Sequence, residues 1–168
     1  DPEVAFNYLG QFDQVIPSDA RWTGNGVSGG ANRHPRGKQP YLVAINALED
    51  ERLPILDGLY IGGGFPETSA ARLAENSSFR LSVKAAADAG LPIYAECGGL
   101  MYLGRTLILD GQPYAMTGVL PFVFGFSKKP QGHGYTVLTV EKENPYYPAG
   151  TEFRGHEFHY SSVLEWGG

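Results

Sequence analysis

The chain has 168 residues and a mass of 18.2 kDa, with 42% apolar residues, 18% charged residues and a net charge of -5. That length holds one ordinary domain, and that composition can bury a core, which argues against a disordered chain. A single cysteine, no basic block and no apolar run near the ~20 residues of a membrane span argue against a disulfide framework, a cysteine zinc site, a nucleic-acid groove and a membrane helix.

The N-terminus, Asp1-Pro2-Glu3, carries no charged-then-apolar signal pattern, so the expected setting is the cytoplasm. Val4 to Phe12 is a short apolar-aromatic piece that reads as one strand. Residues 17–40 hold Pro17, Gly24, Gly26, Gly29, Gly30, Pro35, Gly37 and Pro40 among polar residues, and read as loop or partly disordered chain. Tyr41 to Ile45 is a candidate strand. Leu56 to Ile61 reads as a buried strand, ended by Gly62-Gly63-Gly64. Glu67 to Gly90 has a helical period, carried by Ala70, Ala71, Leu73 and Ala74 and then by Phe79, Leu81, Val83, Ala86 and Ala87. Asn76-Ser77-Ser78 divides it into two helices, with Asn76 or Ser77 as a cap and Gly90 as the stop. Leu91 to Ala95 is a second short strand, and Leu100 to Leu107 reads as a short helix. Strand, helix, strand, helix is the pattern of a parallel α/β sheet. Beyond Asp110 the chain turns β-rich. Tyr135 to Val140 alternates, Asn144-Pro145 and Pro148-Ala149-Gly150 are turns, and Glu152 to Tyr160 is a further strand.

Cys97 is the most informative residue. It follows the strand that ends at Ala95 and precedes Gly98-Gly99 and a helix. A sharp strand-to-helix turn pushes a nucleophile out of the sheet edge, and the following helix N-terminus favours a thiolate. Gly98 and Gly99 allow the tight turn, and the N–H after the nucleophile can meet a developing oxyanion. Ala95 stands where the general elbow pattern has Gly. The competing reading is a buried structural thiol, and the strand-Cys-Gly-Gly-helix context favours the nucleophile.

Gly62-Gly63-Gly64 is neither a dinucleotide fingerprint nor a P-loop. Its bare N–H groups could hold an oxyanion or a substrate carboxylate, and the plainer reading is a tight turn before Pro66. Both glycine segments belong at the carboxyl edge of one parallel sheet. His34 reads as solvated and His133 as a turn residue. His156 and His159 fall on opposite faces of a strand, a poor metal pair without a third ligand, so no metal site is expected. A structural role is the stronger reading for both, with either one as base for Cys97 the other. Glu96, beside Cys97, could orient a partner or form a surface pair.

With these residues in place, residues ~48–165 resemble the glutamine amidotransferase domain of cobyrinic acid a,c-diamide synthase. The matching stretches are Leu56 to Glu67, Pro92 to Leu103, Gly132 to Val140, Asn144-Pro145 and Arg154 to Ser161. Cobyric acid synthase domains are similar but more distant. The resemblance implies a three-layer, flavodoxin-like α/β domain with a mostly parallel central sheet and a β-rich C-terminal part. It implies that Cys97 attacks the side-chain amide of glutamine, forms a glutamyl thioester and releases ammonia. Gly63, Gly64 and Gly98 then supply oxyanion or glutamine-positioning N–H groups. In the family, an ATP-dependent synthetase domain uses the ammonia to amidate corrin side chains in cobalamin biosynthesis. That domain is the expected partner, and ATP and magnesium are expected only there, with no cofactor in this chain.

Two departures accompany the resemblance. The chain shows no P-loop-like ATP site, and it lacks the family's later Ser-Tyr-x-His-x-His-Phe motif that bears the catalytic histidine. The expectation is a C-terminally truncated domain over 48–168. Residues 1–47 form an atypical Gly/Pro-rich segment, expected to pack poorly or to differ from the family. Within it, Val4 to Gln14, Ser28 to Gly30 and His34 to Asn46 resemble the tail of a nonribosomal peptide synthetase epimerization domain. Three hypotheses follow: a truncated glutaminase, an inactive fragment that folds or binds a synthetase partner, and a different cysteine hydrolase with His159 as base.

Overall fold

A computed structural model describes residues 43–143 and 147–167. The readings of Val4 to Phe12, residues 17–40, Tyr41-Leu42 and Asn144-Pro145 lie outside them. The first strand, β1, is Leu59–Ile61, shorter than the Leu56 to Ile61 run, because residues 56–58 do not join the ladder. After a 3₁₀ turn at Pro66–Thr68 come α1 (Ala70–Glu75) and α2 (Ser77–Asp88). Next are β2 (Ile93–Ala95), α3 (Gly98–Leu103), β3 (Thr106–Leu109), β4 (Gln112–Ala115) and β5 (Val123–Phe126). The chain continues through β6 (Gly132–Thr139), β7 (Glu152–His159) and β8 (Ser161–Glu165).

The division between the helices falls where the cap residues put it. Asn76 Oδ1 accepts from Phe79 N–H at 3.3 Å, the N-cap bond of α2. Its Nδ2 donates to Ala47 O at 2.8 Å and Asp50 O at 2.9 Å, which fastens the preceding loop to the helix start. At the other end Gly90 takes φ 90°, Leu91 N–H bonds Ala86 O, and Gly90 N–H bonds Ala87 O. That is a Schellman ending, and the left-handed position favours glycine. Phe79, Val83 and Ala86 turn one face of α2 to the core, joined by Ala70 and Leu73 of α1, while Leu81 points to solvent. Each fully buried Phe or Leu contributes about 1.5–3 kcal/mol.

Strands β1 and β2 pair in parallel, Leu59 opposite Ile93 and Ile61 opposite Ala95. Leu59 and Ile61 face the core together with Met101, Tyr102 and Leu103 of α3. Burial pushes the Tyr102 phenol above its ordinary value, an effect that the nearby Arg80 partly offsets. A second sheet has the order β4-β3-β5-β8. In it β3 pairs antiparallel with β4 and parallel with β5, and β5 pairs antiparallel with β8. The architecture is mixed α/β. The β1–β2 pair is parallel and the four-stranded sheet is mixed, so the described strands do not form the expected mostly parallel central sheet.

Other readings change with the pairing. Val43 to Ile45 joins no ladder among the described residues, though Ile45 and Ala47 are core residues. The helix read over Leu100 to Leu107 runs only to Leu103. Gly104 is extended there, and an added Cβ would meet the Phe124 ring at 2.7 Å. Thr106 and Leu107 already belong to β3. His133 is not a turn residue but part of β6, opposite Phe158 in the β6–β7 ribbon. The ribbon takes in Tyr135 to Thr139 of the alternating run and Glu152 to His159 of the later strand, with Val140 and Tyr160 just beyond its ends.

Candidate active site

The parallel pairing brings the two glycine segments to one edge. Gly62-Gly63-Gly64 leaves the carboxyl end of β1, and Cys97 leaves the carboxyl end of β2. Glu96 N–H extends the ladder by one bond, to Ile61 O at 3.1 Å. The chain then turns sharply. Cys97 has φ 50° and ψ −118°, a left-handed conformation for a residue with a Cβ. Such a conformation costs on the order of 1–3 kcal/mol and persists only where neighbours hold it.

The neighbours are glycines in near-contact with backbone. An added Cβ on Gly98 would stand 2.5 Å from Gly64 O and 2.8 Å from Pro66 Cδ. One on Gly99 would stand 2.5 Å from Ile61 O and 2.9 Å from its Cγ2. The Cys-Gly-Gly order is therefore a packing requirement of the β1 loop, not only of the turn. Gly63 lies against Cys97 itself, since an added Cβ there would sit 3.5 Å from Cys97 Cβ and 4.0 Å from Sγ.

Cys97 is the N-cap of α3, and its carbonyl accepts from Met101 N–H at 3.3 Å. Its thiol makes no capping hydrogen bond and is exposed. Gly98, as the first helical residue, has no N–H partner within the helix. Because α3 has six residues, its contribution at Cys97 is local N–H groups and not a long dipole. Cys97, Gly63, Gly64 and Gly98 are thus gathered at one place. At Gly64 the group turned toward Gly98 is the carbonyl. Nearby, burial pushes the Glu67 carboxyl above its ordinary value, with a backbone hydrogen bond working the other way.

The histidines among the described residues, His133, His156 and His159, lie on the β6–β7 ribbon, and His34 falls outside those residues. His156 faces His133 and Tyr135, with ring centroids 6.1 and 5.8 Å away. His159 lies on the other face, as the strand period requires. Its Nδ1 contacts Ser161 O and its Nε2 contacts Glu157 Oε1, each at 2.7 Å. Both partners are acceptors, so only the doubly protonated ring satisfies both. The Glu157 hydrogen bond accordingly raises the His159 pKa, partial burial lowers it, and the Ser161 carbonyl and the Glu157 charge raise it further. Among the described residues no group of three His, Cys, Asp or Glu is placed to hold a metal.

Sequence reasoning passed over Tyr60. Its hydroxyl donates to Glu96 Oε1, across the strands and beside the elbow. The signal was available, because Leu59 and Ile61 alternate with Tyr60 and so place its ring on the opposite face from the core.

The class of protein these features define is an α/β domain with a cysteine at a strand-to-helix elbow, flanked by a glycine loop. The family model for CobB/CobQ-like glutamine amidotransferase domains matches residues 37–167, and the chain belongs to that family. It is 46% identical over 125 residues to a cobyrinate a,c-diamide synthase of Caldanaerobacter subterraneus subsp. tengcongensis, covering 73% of this chain and 28% of that protein. It is 46% identical over 120 residues to one of Streptococcus sanguinis, covering 71% and 26%. It is 45% identical over 119 residues to one of Methanosphaera stadtmanae, covering 71% and 25%. The chain thus spans about a quarter of the length of these curated relatives.

Proposed function

We propose that this chain is the glutaminase part of a cobyrinate a,c-diamide synthase, and that Cys97 is its nucleophile. One observation carries the reading: an exposed, uncapped thiol at φ 50° on the carboxyl edge of β1 and β2, with Gly63 against its Sγ. The reading includes the three-layer flavodoxin-like arrangement, with β1 and β2 as adjacent strands of its central sheet.

The chemistry follows from the positions. The Cys97 sulfur, having lost its proton, adds to the side-chain amide carbon of glutamine and forms a carbon–sulfur bond. Charge develops on the amide oxygen, where the N–H groups of Gly98 and of the Gly63-Gly64 segment are the candidate donors. Collapse breaks the carbon–nitrogen bond, the nitrogen takes up a proton, and ammonia leaves. Water then cleaves the thioester, giving glutamate and the free thiol. His159 does not supply the base in this arrangement, because both its ring nitrogens already face acceptors. The ammonia would serve an ATP-dependent synthetase domain of the relatives' type, in the cytoplasm, for corrin amidation. A quenched reaction with glutamine, read by intact mass, should show one glutamyl adduct that is missing from Cys97→Ala. No adduct on the folded chain would support the inactive-fragment reading instead.

A further inference from the structure

The residue directly before Cys97 is tied down by its side chain. Tyr60 in the middle of β1 and Tyr94 in the middle of β2 are register partners. Their rings stack at a centroid distance of 5.6 Å and an interplanar angle of 9°, on the exposed face of the pair. Two positions beyond Tyr94, Glu96 returns to that face. The Tyr60 hydroxyl donates to its Oε1. The same ring lies along Gly62, where an added Cβ would stand 3.5 Å from Cε1 and 3.8 Å from the hydroxyl. One aromatic side chain therefore touches both arms of the site: Gly62, which opens the glycine loop, and Glu96, which leads into the elbow.

We propose that Tyr60 and Glu96 are a positioning pair that holds Cys97 in its left-handed conformation. This rests on the reading of Cys97 as nucleophile. Close packing of Gly98 and Gly99 fixes the chain after the elbow. Before it, Glu96 N–H bonds Ile61 O at 3.1 Å and Glu96 O accepts from Gly99 N–H at 2.8 Å. These two bonds hold the backbone of Glu96 on either side but leave its side chain to be placed separately. The side-chain bond to Tyr60 adds a third point, and it ties the residue before Cys97 to the ring that lies along Gly62. The stack on Tyr94 places the hydroxyl beforehand, so less side-chain freedom is lost in making the bond.

The chain has one cysteine, so alkylation by iodoacetamide reports on Cys97 alone. Tyr60→Phe keeps the ring and loses the donor. Glu96→Ala loses the acceptor, and Glu96→Gln keeps one. The first two changes should each lower the alkylation rate, and the kcat of ammonia release at unchanged KM, by about tenfold, the scale of one side-chain hydrogen bond. Glu96→Gln should stay within about twofold of the parent, and Tyr60→Phe with Glu96→Ala should be no slower than Glu96→Ala alone. Parent-like alkylation of Tyr60→Phe, multiplied losses in the double variant, or a Glu96→Gln as slow as Glu96→Ala would overturn the pair. Ammonia release that survives Cys97→Ala would instead overturn the nucleophile reading, and the alkylation rates would still decide the pair.

Discussion

At the elbow, one methyl group is the smallest probe. Gly98→Ala and Gly99→Ala each drive a carbon to 2.5 Å from a backbone carbonyl, and backbone cannot rotate away as a side chain can. Each change should cost about 1–3 kcal/mol of stability by denaturant titration, and should abolish Cys97-dependent ammonia release. Gly63→Ala meets only ordinary contacts and should leave stability within about 0.5 kcal/mol. His159 offers a second residue-scale test. Its pKa is raised above 6.5 in the fold, so the bound proton stabilises the folded chain in full below pH 6.5. That contribution fades as pH rises through the folded value. An NMR titration should place the His159 midpoint above 6.5, and Glu157→Gln should lower it. A midpoint at or below 6.5 would refute the arrangement.

At the scale of elements, Asn76 carries two tasks with one amide. Asn76→Ala removes the cap of α2 and leaves the Ala47 and Asp50 carbonyls without that donor, for a loss of about 2 kcal/mol. Asn76→Asp keeps the cap acceptor but sets a carboxylate against two carbonyls, and should lose a similar amount. Thermal melts of the two variants distinguish this from a plain cap, which Asp would preserve. What the sequence told correctly was local: Asn76 and Gly90 as helix ends, and Cys97-Gly98-Gly99 as a turn between strand and helix. What it hid was pairing. Gly132 and Gly134 suggested a turn around His133, yet the partner strand twenty-odd residues on makes His133 a ladder residue. Asp110 and Gly111, at φ 47° and 80°, close the β3–β4 hairpin, and an Asp-Gly pair is a strong hairpin signal that went unused. The close packing of Gly98 on Gly64 was equally beyond a linear reading, because it joins two loops more than thirty residues apart.

On the scale of the molecule, two regions differ in how they are held. The elbow sits on a core shared by β1, α1, α2 and α3. The β6–β7 ribbon extends from the sheet with both faces exposed, Tyr135 at 94% and Leu138 at 63%. Amide hydrogen exchange should therefore run faster in β6 and β7 than in α2, whose Phe79 and Val83 are buried. No helix among the described residues is long and apolar enough to cross a membrane. The central proposal is that Cys97, set at the edge of a parallel strand pair, is the nucleophile of a glutaminase. Ammonia release from glutamine, measured side by side for the full chain and for Cys97→Ala, tests it most directly. The geometry predicts release above background from the chain and none from the variant. Equal release from both, or none from a folded parent chain, would contradict it.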